Sequence, residues 1–172
     1  MSDYILPVGI AILVSAAVLL IAFRNINKDR ALGTKYDERQ KIVRGKAYRF
    51  GFYVTVVANA ALLILSTSTD AVRVLGYTAF MIPIIAGVTA QFSYCIFKDG
   101  YVGLNTNMTR FVIFMAFVAA FNLLLAVSAI ANGTMLVDGT LRVPFLNLLV
   151  GIMALVMFAD LLIKKLLDGR EE

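Results

Sequence analysis

Apolar residues along this chain come in long runs separated by short polar connections. A helix that crosses a bilayer needs about 20 largely apolar residues. Five stretches meet or approach that length, at 4–23, 50–65, 74–97, 111–131 and 143–163. Bilayer hydrocarbon offers backbone groups no other partner, so all five are expected to be helical. The shortest, 50–65, borrows length from the basic segment before it, whose long side chains can snorkel. Pro7 and Pro144 fall near span starts, where a missing N–H costs little, and Pro83 is expected to kink the third span. The expected fold class is all-α: a single polytopic membrane helical bundle of five transmembrane helices, with a cytoplasmic basic helical segment at 24–49.

Charge sets the expected orientation. Nine of the 16 Lys and Arg residues lie between the first two spans: Arg24, Lys28, Arg30, Lys35, Arg39, Lys41, Arg44, Lys46 and Arg49. Lys98 and Arg110 bound the third loop, and Lys164, Lys165 and Arg170 follow the fifth span. Only Arg73 and Arg142 fall on the other side. The positive-inside rule then puts the N-terminus outside and the C-terminus in the cytoplasm, in the cell inner (cytoplasmic) membrane. Nothing basic precedes the first stretch, and the positive charge follows it, which fits an uncleaved anchor better than a signal peptide. Tyr4, Tyr48, Tyr53, Tyr77, Tyr94 and Tyr101 lie near expected boundaries, where an amphipathic ring is favoured. The outer connections 66–73 and 132–142 are short, and Asn132-Gly133 reads as a turn.

Composition narrows the chemistry. The 172 residues are 60% apolar and 16% charged, with a mean hydropathy of +0.85. A soluble domain is about half apolar and about a quarter charged. There is no His, no Trp and a single cysteine, Cys95. That removes Ser-His-Asp and Cys-His catalysis, His-ligated metal, intrachain disulfides and Cys-x-x-Cys sites. No cofactor or metal is implied and no enzyme is expected. Cys95 reads as a small buried hydrophobe.

The most distinctive stretch runs from Tyr36 to Phe50. Asp37 and Gln40 have capping-box spacing, and Asp37–Lys41 is a favourable i,i+4 pair. A helix is therefore expected to start near Asp37 and run straight into the second span, with Gly45 as its weak point. Its basic residues fall on every side of the helix, whereas a membrane-surface helix would segregate them. Tyr36, Val43, Ala47, Phe50 and Val54 form a narrow apolar seam that suits another helix of this chain or of a partner. Arg39, Lys41, Arg44, Lys46 and Arg49 are the candidate contacts to anionic lipid headgroups or to a cytoplasmic regulator protein. Nucleic acid is not an expected partner, since no recognition motif accompanies the charge.

Tyr36-Asp-Glu-Arg-Gln40, Ile42, Arg44-Gly-Lys-Ala47 and the Gly51-Phe52 entry to the next span resemble uncharacterised small multipass membrane proteins of bacteria and archaea. These carry an Asp-Glu-Arg motif after the first transmembrane helix. The resemblance covers about the first third of the chain, and beyond Ala60 only hydropathy matches. Such proteins look like neighbours of small helix-turn-helix regulators. The resemblance implies a membrane partner of a cytoplasmic regulator.

Within the spans, Ser15, Asn59 and Asn122 sit at similar depth near mid-membrane, and Gln91 lies nearer the cytoplasm. Small-residue stripes accompany them: Gly51, Thr55 and Asn59; Thr78, Ala86, Thr89 and Ser93; Ala119, Asn122, Ala126 and Ala129. Asn59 and Asn122 are expected to face the bundle interior within reach of each other or of a shared water. Asp160 is the one ionisable residue well inside a span, and an i,i+4 pair with Lys164 is its expected explanation. The leading functional expectation is a non-enzymatic regulatory, sensory or scaffold protein acting through its basic juxtamembrane segment. The alternatives are a small transporter or channel-like subunit with an Asn/Gln/Thr path, and an immunity protein against a membrane-active peptide. The small-residue stripes serve contacts within one chain or within a homo-oligomer equally well.

Overall fold

A computed structural model describes residues 17–18, 20–22 and 24–169. The described residues of the leading segment are helical as far as Ile26. After a loop come α1 (Glu38–Ser68), a short α2 (Ala71–Leu75), a 3-10 stretch (Gly76–Phe80), α3 (Met81–Phe97), α4 (Met108–Ala131) and α5 (Pro144–Asp168). Four helical stretches are long and apolar enough to cross a membrane: Glu38–Ser68, Ala71–Phe97, Met108–Ala131 and Pro144–Asp168. They coincide with the second to fifth expected spans. Most of the first expected span lies outside the described residues.

Helix α1 starts where its capping chemistry says it should. Gln40 N donates to Asp37 Oδ1 at 2.6 Å, and Asp37 N donates to Gln40 Oε1 at 3.2 Å. This capping box satisfies two otherwise orphaned donors. The helix then continues without a break through Gly45 into the apolar run. The third span is less regular. Its interruption is the 3-10 stretch Gly76–Phe80, and Pro83 follows inside the first turn of α3. A proline there lacks only an N–H that the first turn leaves unpaired anyway. The irregularity of this span thus lies in the 3-10 stretch before Pro83, and α3 is assigned as one helix through Pro83. Gly76 has φ +56, and a Cβ there would meet Thr140 Cγ2 at 2.8 Å.

One small hairpin interrupts the helical pattern. Leu136–Val137 pairs antiparallel with Thr140–Leu141, and Asp138 and Gly139 turn with φ +52 and +72. Two successive positive φ values are the signature of a tight primed turn, for which Asp-Gly is a favoured pair. At the end of α4, Gly133 has φ +65, Gly133 N donates to Ile130 O and Thr134 N donates to Ala129 O. This is a Schellman closure, so Asn132-Gly133 is a turn as expected.

The principal helix contacts run α1–α3, α3–α5 and α5–α4. Glycine brings α1 and α3 together. A Cβ on Gly51 would lie 2.7 Å from Gly87 O and 2.9 Å from Gln91 Cβ. Thr55 Oγ1 donates to Gly51 O at 2.9 Å, which folds the hydroxyl back onto its own helix at this crossing. On the other side, Gly151 of α5 admits Leu123 of α4, whose Cγ would meet an added Cβ at 2.8 Å. The expected stripe on α4 is the buried one: Ala119, Ala126 and Ala129 are all buried. Two apolar clusters close the ends. Ile26, Ile96, Phe111 and Leu161 form one, at the end that carries most of the basic residues. Ala126, Ala129 and Met135 form the other, covered by Leu141, Phe145 and Leu148.

Candidate functional site

At the basic end, the loop before α1 and the loop after α3 are tied into one unit. Two buried asparagines organise it. Asn105 Oδ1 accepts from Lys35 N at 2.8 Å, and Asn105 Nδ2 donates to Asp29 Oδ1 at 3.0 Å and to Gly33 O at 3.1 Å. Asn27 Nδ2 donates to Ala31 O at 2.7 Å. Backbone bonds stitch the same loops: Lys28 N to Asn105 O, Asn107 N to Ile26 O, and Leu104 N to Lys35 O. A primary amide carries two donors and an accepting oxygen on one rigid plane, which suits it to serving several backbone groups at once. Gly103 sits where a Cβ would run into Thr34, and Gly100 where a Cβ would meet Val43 Cγ1 at 2.5 Å. Both glycines are needed for the close approach.

Asp29 lies on the outside of this junction. Its carboxylate accepts from Lys35 Nζ at 2.7 Å, from Asn105 Nδ2 and from Ala31 N at 3.2 Å. These donors, with the Lys35 bond the largest, hold its pKa down at about 2. Beneath the junction, Tyr101 is packed edge-on between Phe92 and Phe111, with ring centroids 5.3 and 5.2 Å away. Burial pushes its phenol pKa up.

The end of α3 carries a residue in a strained backbone conformation. Asp99 has φ +59 in a Schellman closure: Gly100 N donates to Cys95 O at 2.8 Å and Asp99 N to Ile96 O at 3.3 Å. Glycine usually occupies that position, and a side chain there costs about 1 kcal/mol. The side chain has a use that glycine lacks. Asp99 Oδ2 lies 3.5 Å from Arg39 Nη2 of α1, and Oδ1 lies 3.2 Å from Lys164 Nζ of α5. Lys164 also reaches Asp168 at 2.6 Å. Gln40 completes the clamp, since its Nε2 donates to Val102 O at 2.9 Å and Asp99 O at 3.2 Å. One carboxylate thus ties the start of α1 to the ends of α3 and α5.

The five basic candidates divide. Arg39 is bound to Asp99. Lys41 pairs with Glu38 at 2.6 Å, one turn-position away from the expected Asp37, whose carboxylate is committed to the cap. Arg44 stacks on the Tyr36 ring with its guanidinium 4.1 Å from the centroid. A stacked guanidinium is held by the ring quadrupole and by its own flat face. Lys46 and Arg49 are exposed, with no ion pair among the described residues. The apolar seam is used within the chain: Ala47 is fully buried, Val43 meets Gly100, and Phe50 lies 5.8 Å from the ring of Tyr94.

The intramembrane polar set does not assemble as expected. Ser15 lies outside the described residues. Asn59 is exposed and donates to Thr55 O at 2.9 Å, and half-buried Asn122 donates to Val118 O at 2.9 Å. Each amide is bonded within its own helix, and α1 and α4 have no extensive contact. Gln91 lies at the α1–α3 crossing beside Gly51. The polar contact between spans is a different one: Ser93 Oγ donates to Asp160 Oδ2 at 2.6 Å, from α3 to α5. Asp160 is therefore held by Ser93, while Lys164 turns to Asp99 and Asp168, which corrects the i,i+4 pairing expected from sequence.

Compared with protein-family models, curated proteins and solved structures, the chain matches none.

Proposed function

We propose that this is a five-span protein of the cytoplasmic membrane, its basic end in the cytoplasm, acting as a non-enzymatic regulatory or scaffold partner of a cytoplasmic protein. The observation that carries the reading is the Asp99 bridge between Arg39 and Lys164. A residue kept in a costly backbone conformation to join three helix ends suits a surface whose shape follows the arrangement of the bundle. The placement of 14 of 16 basic residues supports the orientation, and Ile26 in the core cluster supports a leading span. The resemblance of Tyr36 to Phe52 to small multipass proteins points the same way.

Arg39 and Arg44 are engaged at the junction and Lys41 is paired with Glu38 on its own helix, so Lys46 and Arg49 are the side chains offered to an acidic partner or to anionic headgroups. The transport reading asks Asn59 and Asn122 to line a path, and their bonds within their own helices lend it no support.

The test is a photo-crosslinker placed at Lys46 or Arg49 in the full chain in its native membrane, with the captured protein identified and a transcriptional reporter followed. A reproducible cytoplasmic partner is expected, lost with its reporter output in the Lys46→Gln, Arg49→Gln double variant. Unchanged capture and output in that variant would sink the reading.

A further inference from the structure

A pocket of about 440 Å3 lies within the junction at the basic end, between the loop before α1 and the loop after α3. Pockets that take one small molecule span about 300–1,000 Å3. Its apolar walls are Ile26, Leu32, Phe92, Val102 and Phe111. Polar side chains reach it from both loops and from α1: Thr34 and Tyr36, Tyr101 and Thr106, and Arg44.

Arg44 is the one charged residue in this lining, and no carboxylate accompanies it. It belongs to no ion pair among the described residues. The groups that do hold it are neutral phenols. The Tyr36 ring covers its flat face at 4.1 Å, and Nη2 lies 3.5 Å from the Tyr48 hydroxyl. Stacking on a ring leaves the charge in place and the N–H groups at the edge of the guanidinium available. A half-buried cation with no counter-ion in its own pocket favours an anion there.

The lining also sorts among anions. A phosphate monoester carries close to two charges and three accepting oxygens, more than one guanidinium matches. The start of α1, where helix N–H groups often hold phosphate, is closed by the Asp37 carboxylate of this chain. A carboxylate is a single charge whose two oxygens fit the guanidinium fork. The Tyr101 phenol supplies a further donor, since burial raises its pKa and keeps it protonated. The apolar walls then call for an apolar body behind the carboxylate.

We propose that this pocket binds one small organic acid, a monocarboxylate with an apolar body, its carboxylate on Arg44 and its body against Phe92 and Phe111. Such a ligand touches both loops of the junction at once. The site includes neither Lys46 nor Arg49, so this reading and the partner reading can fail separately.

Isothermal titration of the full chain in nanodiscs at neutral pH, with the heat of empty nanodiscs subtracted, tests it. The probes are 4-phenylbutyrate and octanoate, with 4-phenylbutanol and 4-phenylbutyl phosphate carrying the same aromatic body on other headgroups. One acid per chain is expected, bound about tenfold or more tighter than the alcohol, as a charge-assisted hydrogen bond allows. Which acid leads tells a ring-shaped body from a chain. Arg44→Gln should weaken the acid by a similar factor and leave the alcohol unchanged. Equal affinity for acid and alcohol in the unaltered chain overturns the proposal, and that comparison needs no variant to fold. So does tighter binding of the phosphate, full acid affinity in Arg44→Gln, or no acid heat beyond that of empty nanodiscs.

Discussion

Gly51 and Gly87 bring α1 and α3 into backbone contact: a Cβ on either glycine would lie 2.7 Å from the carbonyl oxygen of the other. Gly87→Ala must therefore separate the helices or displace Thr55. Overpacking of this kind costs about 1–3 kcal/mol. Gly45 is the internal contrast, for it lies in the same helix α1 with nothing within 4 Å of an added Cβ. Gly45→Ala should stabilise by up to about 1 kcal/mol. Thermal unfolding in one detergent should show Tm falling for the first variant and rising for the second.

Asn105 should be the most damaging polar residue to remove from the basic end. Asn105→Ala deletes three hydrogen bonds and leaves Lys35 N without its acceptor and Gly33 O with only a long bond from Asn27. At about 1 kcal/mol per bond the loss is about 3 kcal/mol. It should appear locally, as faster amide exchange at Lys35, Leu104 and Asn107.

The junction should also respond to acid. The Asp29 pKa of about 2 lies below the ordinary carboxylate value. A depressed folded pKa means stability that is fully present above the unfolded value and lost as pH falls. Protection of the Lys35 and Ala31 amides is therefore expected to hold down to about pH 4 and to decline from there toward about pH 2. Asp29→Asn should start from lower protection and flatten that decline. A wild-type profile that is flat across this window would refute the assignment.

Asp99 offers an ordering test. Asp99→Asn keeps a side chain that tolerates the left-handed region and removes the charge. Exposed ion pairs contribute about 0–1 kcal/mol each, so its cost should be small. Asp99→Ala loses the pairs and also lacks the local hydrogen bonding that eases a positive φ, so it should be the less stable of the two. Asp99→Gly removes the strain along with the charge and should approach Asp99→Asn. Denaturation of the three variants beside wild type gives the order.

Ser93 Oγ donates to the Asp160 carboxyl between two spans. A side-chain hydrogen bond contributes about 0.5–1.5 kcal/mol. Ser93→Ala should therefore destabilise more than Ser128→Ala, whose hydroxyl sits near the exposed end of α4.

What the sequence made legible was local or periodic. The Asp37–Gln40 spacing places the start of α1 because capping is decided within four residues. Apolar runs placed three helical stretches within a few residues of where they lie, and for α1 they marked only the part after the basic segment. The hairpin at Asp138-Gly139 was not anticipated, because its two-residue flanks are too short to stand out as strands. The site was far less legible. Arg39 and Asp99 are 60 positions apart, and Ser93 and Asp160 are 67 apart. Nothing in the run of residues pairs them until the helices pack. Lys164 has carboxylates in reach on its own helix and on the loop, and three-dimensional placement chose Asp99 and Asp168 over Asp160. Asn59 and Asn122 share a depth, but depth says nothing about which helices are neighbours.

Several contacts tie α1 to α3 and the loop after it, among them Gln40 at one end and Gly51 at the other. Eleven residues of helix separate them, about 16 Å along the axis. A rod fastened at two points cannot pivot about either, so α1 and α3 travel as one plate. The α4–α5 pair, seated by Leu123 on Gly151, is the other plate. Between them run the Ser93–Asp160 and Asp99–Lys164 links, polar contacts that can break and re-form without unseating a glycine. A slide of one pair along the other would therefore have to break these two links and shift the Ile96–Phe111–Leu161 cluster, but no glycine contact.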